Sequence, residues 1–226
     1  MPRRTTKRPG PTDEPLTSSW YLLRQSITLV RRHIDQVVIL ALLPSLVLEL
    51  GGIVLVDHFI AGLAIYVVAL LWLLLNIPAI YYFQVKLSQG ETPSLGTIYS
   101  QGLPYLWRII AFSIIYTAMV TIGVICFIVP GFILFRRYAL AAYYIVDHNM
   151  GIGEAMERSA AVTKPVAGYV WGSIGVTLCV SIAAAVIGIA FYFIPGAGGV
   201  ISSCLSLAAL FVVSLRYVEV AQRTSD

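Results

Sequence analysis

Apolar residues along this chain come in long unbroken runs rather than in alternation, and short polar or Pro-Gly breaks separate them. Between Asp57 and Lys86 there is no Asp, Glu, Lys or Arg, and the same holds between Arg108 and Arg136. A helix crossing a bilayer needs about 20 apolar residues, so each of these intervals holds one crossing. The interval from Lys164 to Arg216 is long enough for two. The pattern predicts an all-α membrane bundle of about six helices, over 36–56, 59–85, 109–128, 132–146, 166–194 and 200–215. A membrane barrel would alternate instead.

The breaks pair these crossings into hairpins. Asp57-His58 divides the first two, Val129-Pro130-Gly131 ends the third, and Pro195-Gly196-Ala197-Gly198-Gly199 separates the last two; proline and glycine interrupt helices by ring constraint and backbone freedom. The fourth crossing carries Arg136 and Arg137, which makes it the costliest.

A segment of helical period precedes each hairpin. Ser18 or Ser19 can cap a helix in which Trp20, Leu23, Ile27, Val30 and Ile34 share one side and Arg24, Thr28, Arg31 and Arg32 lie elsewhere. Ser94, after Pro93, opens a second with Leu95, Ile98, Gly102 and Leu106. A third places Ile152, Ala155, Met156 and Ser159 on one face, with Glu154, Glu157 and Arg158 on the other. The chain thus reads as three units, each an interfacial amphipathic helix followed by a transmembrane hairpin. Arg137-Tyr138 and Arg216-Tyr217 echo one another in the fourth and sixth crossings. Residues 1–17 form a basic, disordered cytoplasmic tail by composition, 18–222 the transmembrane domain, and 223–226 a short C-terminal tail.

Composition agrees with this reading. Of 226 residues 58% are hydrophobic and 12% charged, half the charge of an ordinary soluble domain at about 25%. Mean hydropathy is +0.85. Charge sets the orientation, because cytoplasmic loops retain Lys and Arg. Arg3, Arg4, Lys7, Arg8, Arg24, Arg31, Arg32, Lys86, Arg108, Arg158, Lys164, Arg216 and Arg223 fall on one side of an even-numbered topology, while the opposite loops hold none. Both termini are therefore expected in the cytoplasm of a cell-membrane protein, with anionic headgroups rather than nucleic acid as partners of the basic tail, at about 1 kcal/mol per basic side chain. A protein partner or a homo-oligomer is also compatible.

The middle of the chain carries a resemblance. Ile128-Val129-Pro130-Gly131-Phe132-Ile133-Leu134, then Arg137-Tyr138-Ala139-Leu140-Ala141, Val146-Asp147-His148-Asn149-Met150-Gly151 and Glu154-Ala155-Met156-Glu157-Arg158-Ser159 join a Pro-Gly hairpin, an Arg-bearing return, a polar turn and an Ala-x-x-x-Ser helix. This resembles the glycerophosphoryl diester phosphodiesterase membrane-domain family and its six-helix bacterial relatives. The resemblance implies the six-helix fold. In phosphodiesterase members catalysis belongs to a separate soluble barrel, and this sequence ends at Asp226 soon after its last expected crossing, so no catalytic site is expected to carry over.

Candidate chemistry is sparse. Glu49 and Arg136 are each about 10 Å below the outer surface by residue count, so Glu49 can pair with Arg136 or Arg137; alternatively the arginines reach headgroups separately. Asn76 with Pro78 marks either a broken helix with freed carbonyls or an Asn bonded to a neighbouring helix. Gly168 and Gly172 have close-packing spacing, and Cys126, Cys179 and Cys204 read as small packing residues. His33, His58 and His148 stand alone, and no metal, cofactor or catalytic motif is present in the sequence. The expectation is a non-enzymatic envelope protein that engages lipid or partner proteins, with a small-solute or lipid transporter as the alternative.

Overall fold

The computed structural model describes residues 16–190 and 197–225. Side chains at 41, 42, 45, 49, 53, 56, 197–201, 204, 224 and 225 lie outside that description. The described residues are helical without a strand. In chain order the helices are α1 (Ser19–Arg32), α2 (Ile34–Val37), α3 (Leu43–Asp57), α4 (Phe59–Ser88), α5 (Leu95–Gly102), α6 (Leu106–Cys126), α7 (Ile128–Tyr138), α8 (Ala141–Asp147), α9 (Ile152–Thr163), α10 (Ala167–Ala190) and α11 (Ala197–Ser225).

Local sequence explains most boundaries. Ser94 caps α5 as expected, its hydroxyl accepting from the Thr97 N–H at 3.3 Å. A π-helical turn over Val38–Leu42 joins α2 to α3 just ahead of Pro44, which lacks the N–H that would bond Leu40. Gly90, at φ 86°, stops α4 in the left-handed region that glycine enters without penalty.

Among the described residues four helices are long and apolar enough to cross a membrane: Phe59–Ser88, Leu95–Cys126, Ala167–Ala190 and Leu205–Arg223. The first and fourth expected crossings are not among these four described helices. Over the first, α2, the π turn and α3 run on as continuous helical backbone from Ile34 to Asp57, with 15 residues of it in α3. The fourth is divided at Ala139-Leu140, leaving α7 with 11, about 16 Å of helix against a hydrocarbon core of about 30 Å. The break ahead of α7 also falls earlier than Pro130-Gly131. Phe127 takes the extended conformation (φ −157°, ψ 123°), and Pro130 sits in the first turn of α7, where its missing N–H costs nothing. Pro195 and Gly196 lie outside the described residues.

Three antiparallel pairs build the molecule: α3 with α4, α6 with α7, and α10 with α11. The short amphipathic helices tie the pairs together. α5 lies on α4, α9 lies on α7 and α8, and α1 lies on α10 and α11 at the far end of the chain. Glycines permit the closest approaches. A Cβ on Gly102 would lie 2.9 Å from the Ala79 Cα, and one on Gly131 would lie 2.6 Å from the Val124 amide nitrogen. Gly172 serves α1 in the same way, since a Cβ there would lie 2.8 Å from the Ser19 hydroxyl; Gly168 faces open space.

Burial divides the long helices into two zones. One end of the bundle holds a packed core in which Val85, Ile109, Tyr143, Ile145, Ala155 and Tyr217 are buried together, beside a second cluster built on Phe83, Ile98 and Phe211. Tyrosine rings fill its centre: Tyr143 stacks on Tyr217 with centroids 5.3 Å apart, and Tyr81 and Tyr144 meet these two edge-on. Towards the other end the same helices expose Phe59, Ile60, Val68, Leu71, Ile114, Ile125, Ile128, Leu178 and Ile189. Cys126 and Cys179 also lie exposed there, rather than serving as packing residues. Exposed apolar surface on this scale needs a solvent other than water.

Candidate functional site

Polar chemistry concentrates at the packed end, in three ties. The first closes the chain on itself. Arg216 of α11 is fully buried; its Nε donates to Ser173 Oγ of α10 at 2.9 Å, Nη1 donates to Glu219 Oε2 at 2.5 Å, and Nη2 donates to the Thr17 carbonyl at 2.6 Å. Glu219 returns the connection by accepting from both the N–H (2.6 Å) and the hydroxyl (2.7 Å) of Thr17. The Tyr169 ring lies 5.5 Å from the guanidinium. A buried charge demands such saturation, because desolvation is otherwise uncompensated.

Asp147 anchors the second tie. Its Oδ2 accepts from the Tyr217 hydroxyl at 2.7 Å and its Oδ1 from Gln89 Nε2 at 3.0 Å, so one carboxylate joins the ends of α4, α8 and α11. His148 is exposed yet not isolated, since Nδ1 lies 3.3 Å from the Tyr217 hydroxyl and 3.5 Å from Asp147. The following Asn149 adopts φ 54°, the left-handed conformation that Asn tolerates, and its side-chain and backbone oxygens accept from Arg108 at 2.5 and 3.3 Å. A cavity of about 460 Å³ opens beside this turn, lined by His148, Met150, Glu154, Glu157 and Arg158 among others.

The third tie explains the Ala-x-x-x-Ser helix. Ala155 and Ser159 are both fully buried on the inner face of α9. The kink after α7 leaves its last carbonyls without helical partners. Ser159 Oγ donates to one of them, the Arg137 carbonyl, at 2.8 Å, and the Thr163 hydroxyl, 3.3 Å from the same oxygen, has its shorter bond to the Ser159 carbonyl at 2.8 Å. Glu154 and Arg158 are exposed and face the cavity instead.

Of the residues singled out in the sequence, Asn76 is resolved most clearly. α4 runs unbroken through Pro78. Asn76 is fully buried, donates to the Trp72 carbonyl at 3.1 Å and accepts from the Tyr99 hydroxyl of α5 at 2.6 Å. This is the bond to a neighbouring helix, not a broken-helix site. Replacing Tyr99 by Phe is expected to lower stability by about 1 kcal/mol in detergent unfolding, through the orphaned Asn76 oxygen, and Asn76→Leu in that background should cost no more. Additive losses would deny the bond.

The pairing of Glu49 with Arg136 or Arg137 lies outside the described residues, because the Glu49 side chain does. α7 packs on α6, α9 and α10, and α3 on α4 and α11. Arg137 is exposed, its guanidinium 5.7 Å from the Tyr138 ring, and Arg136 is half-buried. Sequence reasoning missed the Arg216 and Asp147 ties. The available signal was a basic residue late in an apolar run with Glu219 three positions on, and an acid opening the turn before α9.

Over the described residues these features define an all-helical fold with four helices suited to a membrane and a hydrogen-bonded core at one end. No family model matches the chain, and neither a curated protein nor a solved structure matches it.

Proposed function

We propose that the chain is a six-crossing protein of the cell membrane, organised as three amphipathic-helix-plus-hairpin units with both termini in the cytoplasm, and that it acts by engaging lipid or partner proteins rather than by chemistry of its own. The resemblance to the phosphodiesterase membrane domain supports the crossing number, with α2–α3, continuous through its π turn, and α7–α8, interrupted at Ala139-Leu140, as the other two crossings.

The observation that carries the reading is the double face of α1. Leu22, Ser26 and Val30 are buried against the protein. Trp20 (65% exposed), Tyr21, Ile27 and Ile34 point away from it, beside Arg24, Arg31 and Arg32. The expected single apolar face, with Val30 alongside Trp20 and Ile27, is thus divided between core and exterior. A helix already docked by one stripe has no folding reason to keep a second; an apolar stripe flanked by arginines suits an anionic leaflet. The transporter alternative would draw on Glu49, Arg136, Arg137 and Asn76, of which Asn76 is bonded to Tyr99.

Topology and lipid contact are separable by experiment. In cysteine-free protein, single cysteines at Asp57 and Gly196 are expected to react with an impermeant maleimide from outside intact cells, and those at Gln89 and Ser225 only after permeabilisation. With Trp20 as the sole tryptophan, brominated phosphatidylglycerol in proteoliposomes should quench most of its emission. Labelling of Ser225 from outside would overturn the six crossings, and unquenched Trp20 the role of α1.

A further inference from the structure

The described chain begins inside the packed end. Leu16 is buried in one cluster with Tyr144, Ala155 and Val162 of α8 and α9 and with Tyr217, Val218 and Val220 of α11. Thr17 is pinned immediately afterwards by Glu219 and Arg216. The backbone that leads into Leu16 therefore arrives beside the last turns of α11. The cavity of about 460 Å³ next to the α8–α9 turn shares Tyr144 with the Leu16 cluster and is walled by Arg158 and Ala161 of α9 and Ala221 of α11. A second hollow of about 180 Å³ has His148 and Ala221 in common with it and continues it past Asp147 and Gln89, so the two make one groove.

Charges along this groove and along the sequence ahead of Leu16 run in complementary order. Counted from Ala161 towards the start of α9, the exposed charged residues that line it are Arg158, then Glu157 and Glu154, over about 10 Å of helix. Counted back from Leu16, the sequence offers Glu14 and Asp13, then Arg8 and Lys7. Acids meet the base, and the bases that follow meet the acids. Arg8 stands eight residues before Leu16, a reach of at most about 29 Å, so the segment is long enough to lie along the whole stretch. Its tether also favours it over any free competitor, because a short flexible link holds a segment at an effective concentration of the order of millimolar.

We propose that the groove between α9 and α11 is the docking site of the chain's own residues 1–15, with Glu14 and Asp13 towards Arg158 and with Arg8 and Lys7 on Glu157 and Glu154. The inference goes beyond the membrane reading above and does not depend on the number of crossings. Docking withdraws the basic residues of the segment from anionic headgroups, so groove and leaflet compete for the same charges. Exposed ion pairs of this kind are individually weak and screened by salt, which makes the docked state reversible.

The test is disulfide cross-linking of the full, otherwise cysteine-free chain in proteoliposomes of equal phosphatidylglycerol and phosphatidylcholine. Gly153 lies at the open start of α9, where a Cβ meets nothing within 4 Å. Gln25 is exposed on α1, about 14 Å of helix from Leu16, so Thr6 can reach it as well. Thr6→Cys with Gly153→Cys is expected to close about tenfold faster than Thr6→Cys with Gln25→Cys, the worth of two or three exposed ion pairs. Adding Glu154→Lys and Glu157→Lys, both at exposed positions, should remove most of that advantage, and adding Lys7→Glu and Arg8→Glu to these should return it. Equal rates for the two pairs, an advantage that survives the change at Glu154 and Glu157, or one that the full reversal does not regain, overturns the proposal. An advantage seen only when phosphatidylglycerol is omitted would assign the segment to lipid headgroups and overturn it too. A cross-linked dimer in place of the internal disulfide would do the same by making the occupant a second copy.

Discussion

Arg216→Met is expected to destabilise the folded chain by about 3 kcal/mol in reversible unfolding in mixed micelles, the loss associated with removing one partner of a buried charge pair. Arg216 has no exposed surface, and its partners come from three places in the chain: the Thr17 carbonyl, Ser173 of α10 and Glu219 of its own helix. Methionine fills a similar volume without the charge, leaving the Thr17 carbonyl and Ser173 hydroxyl to find other partners. Glu219→Gln should cost less, about 1 kcal/mol, because an amide oxygen still accepts from Thr17. The double variant should fall short of the sum, since each change breaks the same tie. The N-terminal segment reports the mechanism directly. Protease cleavage near Thr17 should accelerate in Arg216→Met while cleavage between α8 and α9 is unchanged, and unchanged cleavage at both sites would argue against the tie.

Gly131→Ala is the second large effect, with an expected loss of about 2–3 kcal/mol. The added methyl would lie 2.6 Å from the Val124 nitrogen and 2.8 Å from its Cα, so α6 and α7 must separate. Separation at that point also strains the bond from the Tyr116 hydroxyl to the Phe135 carbonyl, 3.0 Å long and one turn further on. Gly153→Ala provides the control. A Cβ there meets nothing within 4 Å inside helix α9, so the same substitution should stabilise by about 0.5–1 kcal/mol. A loss at Gly131 no larger than 0.5 kcal/mol would mean that the two helices are not packed through glycine.

Legibility from sequence followed the range of the interactions involved. The stretches 59–85 and 109–126 were readable because continuous apolar runs have one stable form in a bilayer, and Ser94 was readable because its cap bond spans three residues. The division of the fourth crossing was hidden, since Ala139-Leu140 are helix formers and the kink is held by Ser159 and Thr163 from α9. The inner face of α1 was hidden for a similar reason. Both of its stripes are apolar, and distant partners such as Val176, Val212 and Leu215 decide that Leu22 turns inward. At the candidate site Arg137 and Ser159 belong to one sequence pattern, but the contact between them was not legible; what joins them is a backbone carbonyl, and side-chain patterns do not announce free carbonyls.

The contact between Thr17 and Glu219 spans 202 residues, and α1 packs against helices from the last quarter of the chain. A ribosome adding about 5–20 residues per second needs roughly 10–40 s to supply that partner after α1 has emerged. During that interval Leu22, whose buried partners are Val176, Val212 and Leu215, lacks its cover, whereas Val30 also shares a cluster with Phe83 and Ile98 of α4 and α5. The tie between Thr17 and Glu219 can therefore close only after α11 has been made, and until then the apolar face of α1 that holds Leu22 is sheltered at the bilayer surface or on a chaperone.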